Sequence, residues 1–202
     1  MPEGPPGHGP GAAAEPPSED EAQVEAIART VAAGTDGIGV PAELLEEREE
    51  PAGRANRGGA ATPSGNLHAQ IVTMGMSAKI KLALRGNKDA RQILIHDRNK
   101  LIRRLVLQNV RITDGEILSL ARNRNVDEEL LHVIVERREW MQNYQIKLAI
   151  VVNPKTPLVS ALKHVGSMAE RDLRHIAKSK DVADAVGAQA RRILFTRARG
   201  EA

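Results

Sequence analysis

The sequence predicts an all-α fold: a short α-solenoid of about four antiparallel helix pairs preceded by a disordered acidic arm. Three observations carry that expectation. Aromatic residues are nearly absent, capped aliphatic helices recur every 28 residues, and composition and charge both change near residue 66. Trp140, Tyr144 and Phe195 are the only aromatic side chains, so a core must be built from Leu, Ile, Val, Ala and Met. Sheets draw on aromatic and β-branched pairs, whereas Ala and Leu among straight-chain charged residues favour helix.

Residues 1–66 read as a disordered, Pro/Gly-rich acidic arm. Gly and Pro crowd the opening from Pro2 to Gly11 and return between Pro51 and Gly65. A stretch so poor in large apolar side chains does not offset the entropy lost on ordering. Within it, Val24, Ile27, Ala28 and Val31 fall at helical spacing over Glu19–Ala33, with acidic residues at the start where the helix dipole favours them. Isolated helices of this length are marginal in water, so a nascent helix is expected, either residual structure in a tail or a partner-binding motif.

Residues 67–202 form the basic α-helical repeat domain. Asp97, Asn125, Asn153 and Asp181 stand 28 residues apart, and each side chain is suited to accept a backbone N–H at a helix start. An apolar stripe at i, i+3, i+4 follows each of them, as in Leu101, Ile102, Leu105 and Val106 or Leu130, Leu131, Val133 and Ile134. A double unit of 56 residues matches further: Ile117, Leu120 and Ala121 correspond to Leu173, Ile176 and Ala177. The predicted pairs are 88–96 with 99–108, 113–122 with 127–138, 142–152 with 155–165, and 169–178 with 182–196. A further helix near 68–85 is expected to cap the open N-terminal face. Thr113-Asp114-Gly115-Glu116 fits a capping box, Pro154 and Pro157 suit a first helical turn, and Gly86 and Gly166 fall where helices should stop. One pair cannot bury its apolar faces alone, whereas stacked neighbours can.

Lys79-Ile80-Lys81-Leu82-Ala83, Gly86-Asn87-Lys88, Arg137-Arg138-Glu139-Trp140 and Asn153-Pro154-Lys155-Thr156-Pro157 together resemble bacterial HEAT-like and leucine-rich-repeat-variant-like α-helical repeat proteins. The resemblance covers residues 76–196. It implies an all-helical fold and supplies no activity.

Charge is divided unevenly. Residues 1–77 carry 4 Lys/Arg against 12 Asp/Glu, a net −8, and residues 78–202 carry 25 against 14, a net +11. A basic domain attracts anionic partners, and its own acidic arm is placed to shield that surface at high effective concentration. Cysteine is absent, which removes disulfides, thiolate metal sites and cysteine nucleophiles. The opening Met1-Pro2-Glu3-Gly4 lacks a signal-peptide pattern, and no apolar run reaches a membrane span, so a cytoplasmic protein without membrane partners is expected.

Little in the sequence points to chemistry. No two of His8, His68, His96, His132, His164 and His175 stand at metal-ligand spacing on a helix, so neither a metal nor another cofactor is expected. Gly34, Gly37 and Gly39 follow no strand and precede no Gly-Lys-Ser/Thr, as a phosphate loop would require. The carboxylates gather at predicted helix starts, where the dipole accounts for them without catalysis. Two features stand out as partner-binding candidates. Arg122 and Arg124 recur as Lys178 and Lys180, 56 residues on, and should share one edge of the array; Arg137 and Arg138 add a further basic doublet. Helix-dipole complementarity is the alternative explanation for these cations. Trp140 and Tyr144 are either an interface anchor or filler between two units. The function expected is that of a non-enzymatic scaffold or adaptor in protein–protein interaction, binding an acidic segment; the alternative is sequence-independent nucleic-acid binding along the basic strip.

Overall fold

The computed structural model describes residues 18–47 and 64–200, all-helical and with no strand among them. Helix α1 (Glu19–Ala33) is followed by one 3-10 turn, Ala42–Leu44. The chain resumes with α2 (Ser64–Thr73), α3 (Met76–Arg85), α4 (Lys88–Leu94) and α5 (Lys100–Val106). Then come α6 (Asp114–Arg122), α7 (Glu128–Glu136), the one-turn α8 (Arg138–Gln142) and α9 (Tyr144–Val152). Helices α10 (Leu158–Val165), α11 (Glu170–Lys178) and α12 (Asp184–Ala198) complete the order. The single helix expected near 68–85 is two helices, broken at Gly75. No described helix is long and apolar enough to cross a membrane.

Helices this short need firm ends. Asp97, Asn109, Asn123, Asn143 and Asn153 each accept the N–H two residues on, at 2.8–3.0 Å, which turns the chain between helices. Two of these residues also tie turns to neighbouring helices. Asn109 is buried and donates through Nδ2 to the carbonyls of Ala83 and Gly86; buried Asn153 donates likewise to Ala121 and Asn123.

The four residues expected as helix caps at 28-residue spacing are not caps. Side-chain N-caps fall at Ser18, Asn87, Asn99, Thr113 and Asn143. Asp97 and Asn153 instead shape the turn ahead of the next helix, and the Asp181 carboxylate meets Arg124. A short polar side chain serves a turn as readily as a cap, and spacing alone does not separate the two. The Thr113–Glu116 capping box is present, and α3 and α10 stop at Gly86 and Gly166. Gly86 is required by close approach: a Cβ there would lie 2.3 Å from the Leu82 carbonyl oxygen.

The core is divided into three clusters that follow one another along the chain. The first gathers Val24, Leu44, Ile71, Ile80, Leu94 and Ile102; the second, Ile117, Leu131, Ile134, Trp140, Ile146 and Ile150; the third, Val165, Met168, Leu173, Ile176 and Val186. Ile95 packs against both the first and the second. The principal helix contacts are correspondingly local: α1 on α3, α3 on α5, α6 on α9, α10 on α12 and α11 on α12.

Residues 18–47 depart from the expectation of a free arm; residues 1–17 and 48–63 of that arm lie outside the described residues. Helix α1 is complete, closed by a capping box at Ser18 and by Gly34 at φ 74°. Val31 is 0 % exposed and Leu44 2 %. The apolar stripe that would be marginal alone finds a partner surface on α3 and α5, where Leu84, Leu101 and Leu105 line the same crevice as Val24 and Ala28. In α4, Arg91 is 2 % exposed and uses four of its five N–H donors: it bonds Glu116 through Nε (2.9 Å) and Nη2 (3.0 Å), and Glu47 (2.6 Å) and the Gly86 carbonyl (3.0 Å) through Nη1.

Candidate partner-binding site

The α6–α7 turn and the α11–α12 turn meet. Arg124 and Asp181 form an ion pair at 2.9 Å across 57 residues of sequence, both more than half exposed. Arg124 holds the Asp181 carboxyl below its ordinary pKa. In solvent such a pair adds little stability, so its value here is as a marker of proximity. It places Arg122 and Arg124 beside the turn that carries Lys180, with Lys178 ending α11.

An open groove of about 280 Å³ is lined by residues of α6, α9 and α11 and by Arg124. Its floor is apolar, from Leu148, Ala149 and Val152 of α9, and Arg122, Arg124 and His175 stand among the residues that line it. Lys178 follows His175 at i+3, the spacing that puts two side chains on one helix face. Among the described residues, Arg122, Lys178 and Lys180 make no ion pair. The groove therefore couples aliphatic surface to the Arg122 cation, next to the paired Arg124 and the Asp172 carboxylate. No protein-family model, curated protein or solved structure matches the chain.

Tyr144 and Trp140 do different work from the cations. The Tyr144 hydroxyl donates to Asp172 and accepts the Ala169 N–H at 3.0 Å, so the phenol ties the start of α9 to the start of α11. Burial first, and then the bond to Asp172, push its pKa above the ordinary value and keep it protonated as a donor. Asp172 is thereby fixed where it borders the groove. Tyr144→Phe removes both bonds and is expected to cost about 1–3 kcal/mol, because one partner is a carboxylate. A urea midpoint equal to that of the unmodified chain would show the phenol contributes nothing.

Trp140 is 6 % exposed and belongs to the second core cluster, with the Arg137 guanidinium 4.8 Å from its ring centroid. A buried indole of this kind fills core space between helices α7 and α9. Arg138 is exposed at the head of α8. The doublet Arg137 and Arg138 thus belongs to a different junction from the groove. Among the described residues, no group of three or more His, Asp or Glu side chains could hold a metal ion.

Sequence reasoning missed His175 and Asp172 as groove residues, Asp181 as the partner of Arg124, and Arg91 with Glu116 and Glu47 as a buried network. One signal was available. Tyr144 and Asp172 stand 28 residues apart, the same spacing as that of Asp97, Asn125, Asn153 and Asp181, so the pairing was legible in principle.

Proposed function

We propose that the chain is a non-enzymatic scaffold, an α-solenoid of about four stacked helix pairs of the HEAT-like kind, which binds an amphipathic acidic segment of a partner protein. The observation that carries the reading is the groove between α6, α9 and α11, where an aliphatic floor is edged by Arg122, Arg124 and His175. An acidic amphipathic helix offers the complement of both: its apolar stripe covers Leu148 and Val152, and its flanking carboxylates meet the cations. Three core clusters in series and contacts between near neighbours in chain order support the stacked architecture, since each unit in such an array leans only on those beside it.

The test uses the full chain and two probes: a labelled amphipathic Leu/Glu peptide, and a labelled DNA duplex. Binding is followed by fluorescence polarisation as salt is raised. The peptide is expected to bind, and Arg122→Glu with Lys178→Glu to weaken it about tenfold or more while helical content is retained. Peptide affinity indifferent to both changes would remove the groove from consideration. Duplex binding that falls steeply with salt and is lost in the same variants would instead assign the basic edge to a phosphate backbone.

A further inference from the structure

A second surface, formed by residues other than those lining the groove, is covered by residues 36–47. Residues 36–47 run along α3, α4 and the α5–α6 turn at Arg111 and contain only one 3-10 turn. The side chains of the helical domain supply nearly all the donors that hold this segment. Lys81 pairs with Asp36 at 2.6 Å and donates to the Ile38 carbonyl at 2.7 Å. Asn87 donates through Nδ2 to the carbonyls of Glu43 (2.9 Å) and Glu46 (3.1 Å), and through its backbone N–H to that of Leu44 (2.7 Å). Arg111 reaches the Leu45 carbonyl, and Arg91 holds Glu47. Between these polar contacts, Leu44 plugs the first core cluster.

This is how a protein reads an extended peptide: main-chain carbonyls fix the backbone, one apolar side chain enters a pocket, and end carboxylates set the register. A segment folded as an ordinary part of the core would satisfy its carbonyls mainly through its own helix or sheet. Covalent connection to α1 on one side and to α2 on the other keeps residues 36–47 near the surface when they leave it. Tethered in this way, the segment competes at an effective concentration of about millimolar order.

We infer that the edge formed by α3, α4 and Arg111 is a binding site for acidic, leucine-anchored peptide segments, filled in cis by residues 36–47 and open to a segment of the same chemistry in trans. The inference stands on different residues from the groove and is tested separately. The probe is a fluorescent peptide with the sequence of residues 34–47, titrated against the full chain. The unmodified chain takes it up weakly because its own segment is in place. Leu44→Ala combined with Glu47→Gln loosens the segment and leaves the surface intact, so the probe is expected to bind at least about tenfold more tightly. A double variant that loses its helical signal, or stays folded without gaining affinity, overturns the inference, since the segment is then an inseparable part of the core. Hydrogen exchange on the unmodified chain gives an independent reading. The amides of Leu44, Leu45 and Asn87, all bonded within or to the segment, should exchange about tenfold or more faster than those of Leu120 and Ala121 in α6. Equal protection across the two sets overturns it as well.

Discussion

Replacing Arg91 by Met is expected to destabilise the protein by about 3–5 kcal/mol, the range for breaking a buried charge pair by removing one partner. Methionine matches much of the aliphatic stem, so the loss is chiefly electrostatic. It strands Glu116, which is 13 % exposed at its side chain, and it frees Glu47 at the end of the docked segment. The pH dependence separates this cause from a packing defect. Burial pushes the Glu116 carboxyl up, but bonds from Arg91 and Thr113 outweigh it and hold its pKa below the ordinary carboxylate value. A depressed folded-state pKa contributes stability above the unfolded value, about 4.3, and that contribution is lost as pH falls through the folded value. In Arg91→Met the Arg91 bonds are gone and only those from Thr113 oppose burial, so protonation relieves the stranded carboxyl more readily. The gap between the two proteins in urea melts should therefore be widest near neutral pH and shrink below about pH 4. A gap that stays constant from neutral to acid pH would mean that Arg91 acts by filling space.

The helices were legible because their aliphatic stripes are local. Ile117, Leu120 and Ala121 set α6 within a residue of its predicted bounds, and α10 ends at Val165 as expected but starts three residues late, at Leu158 after Pro157. The docking of α1 was not legible for the same reason. Val24, Ile27, Ala28 and Val31 gave the stripe, but what stabilises it is Leu84, Leu101 and Leu105, far along the chain. Reasoning about an isolated helix measures only its own propensity, and most helical stability in a folded chain comes from the surface it covers. Arg91 shows the limit most plainly. It sits in a helix as one cation among many, and its partners lie 25 and 44 residues away. Burial of a charge becomes visible only when packing is known. For the groove, the 56-residue recurrence pointed to Arg122, Arg124, Lys178 and Lys180, while the meeting of their turns came from an acid, Asp181, that had been read as a cap.

Ile134→Ala should cost about 2–5 kcal/mol, against a change within ~0.5 kcal/mol for Leu158→Ala, whose side chain is largely in solvent. Ile134 is fully buried in the second cluster, where its methyls pack among Leu131, Trp140 and Ile146. Its position in the series gives the lesion a second consequence. The second cluster adjoins the first through Ile95, and Ile150 and Val151 carry α9 from the second cluster into the third. Where units are stabilised by contact with their neighbours, weakening a middle unit uncouples the two ends, so unfolding should broaden or divide into two steps. An equally severe change at the far end, such as Ile176→Ala in the third cluster, should instead lower the C-terminal part while leaving a sharp main transition. Circular dichroism and Trp140 fluorescence, followed together in urea, distinguish the two: the probes should separate for Ile134→Ala. Coincident, single, sharp transitions for both variants would indicate one undivided core and would remove the stacked-unit architecture from the account.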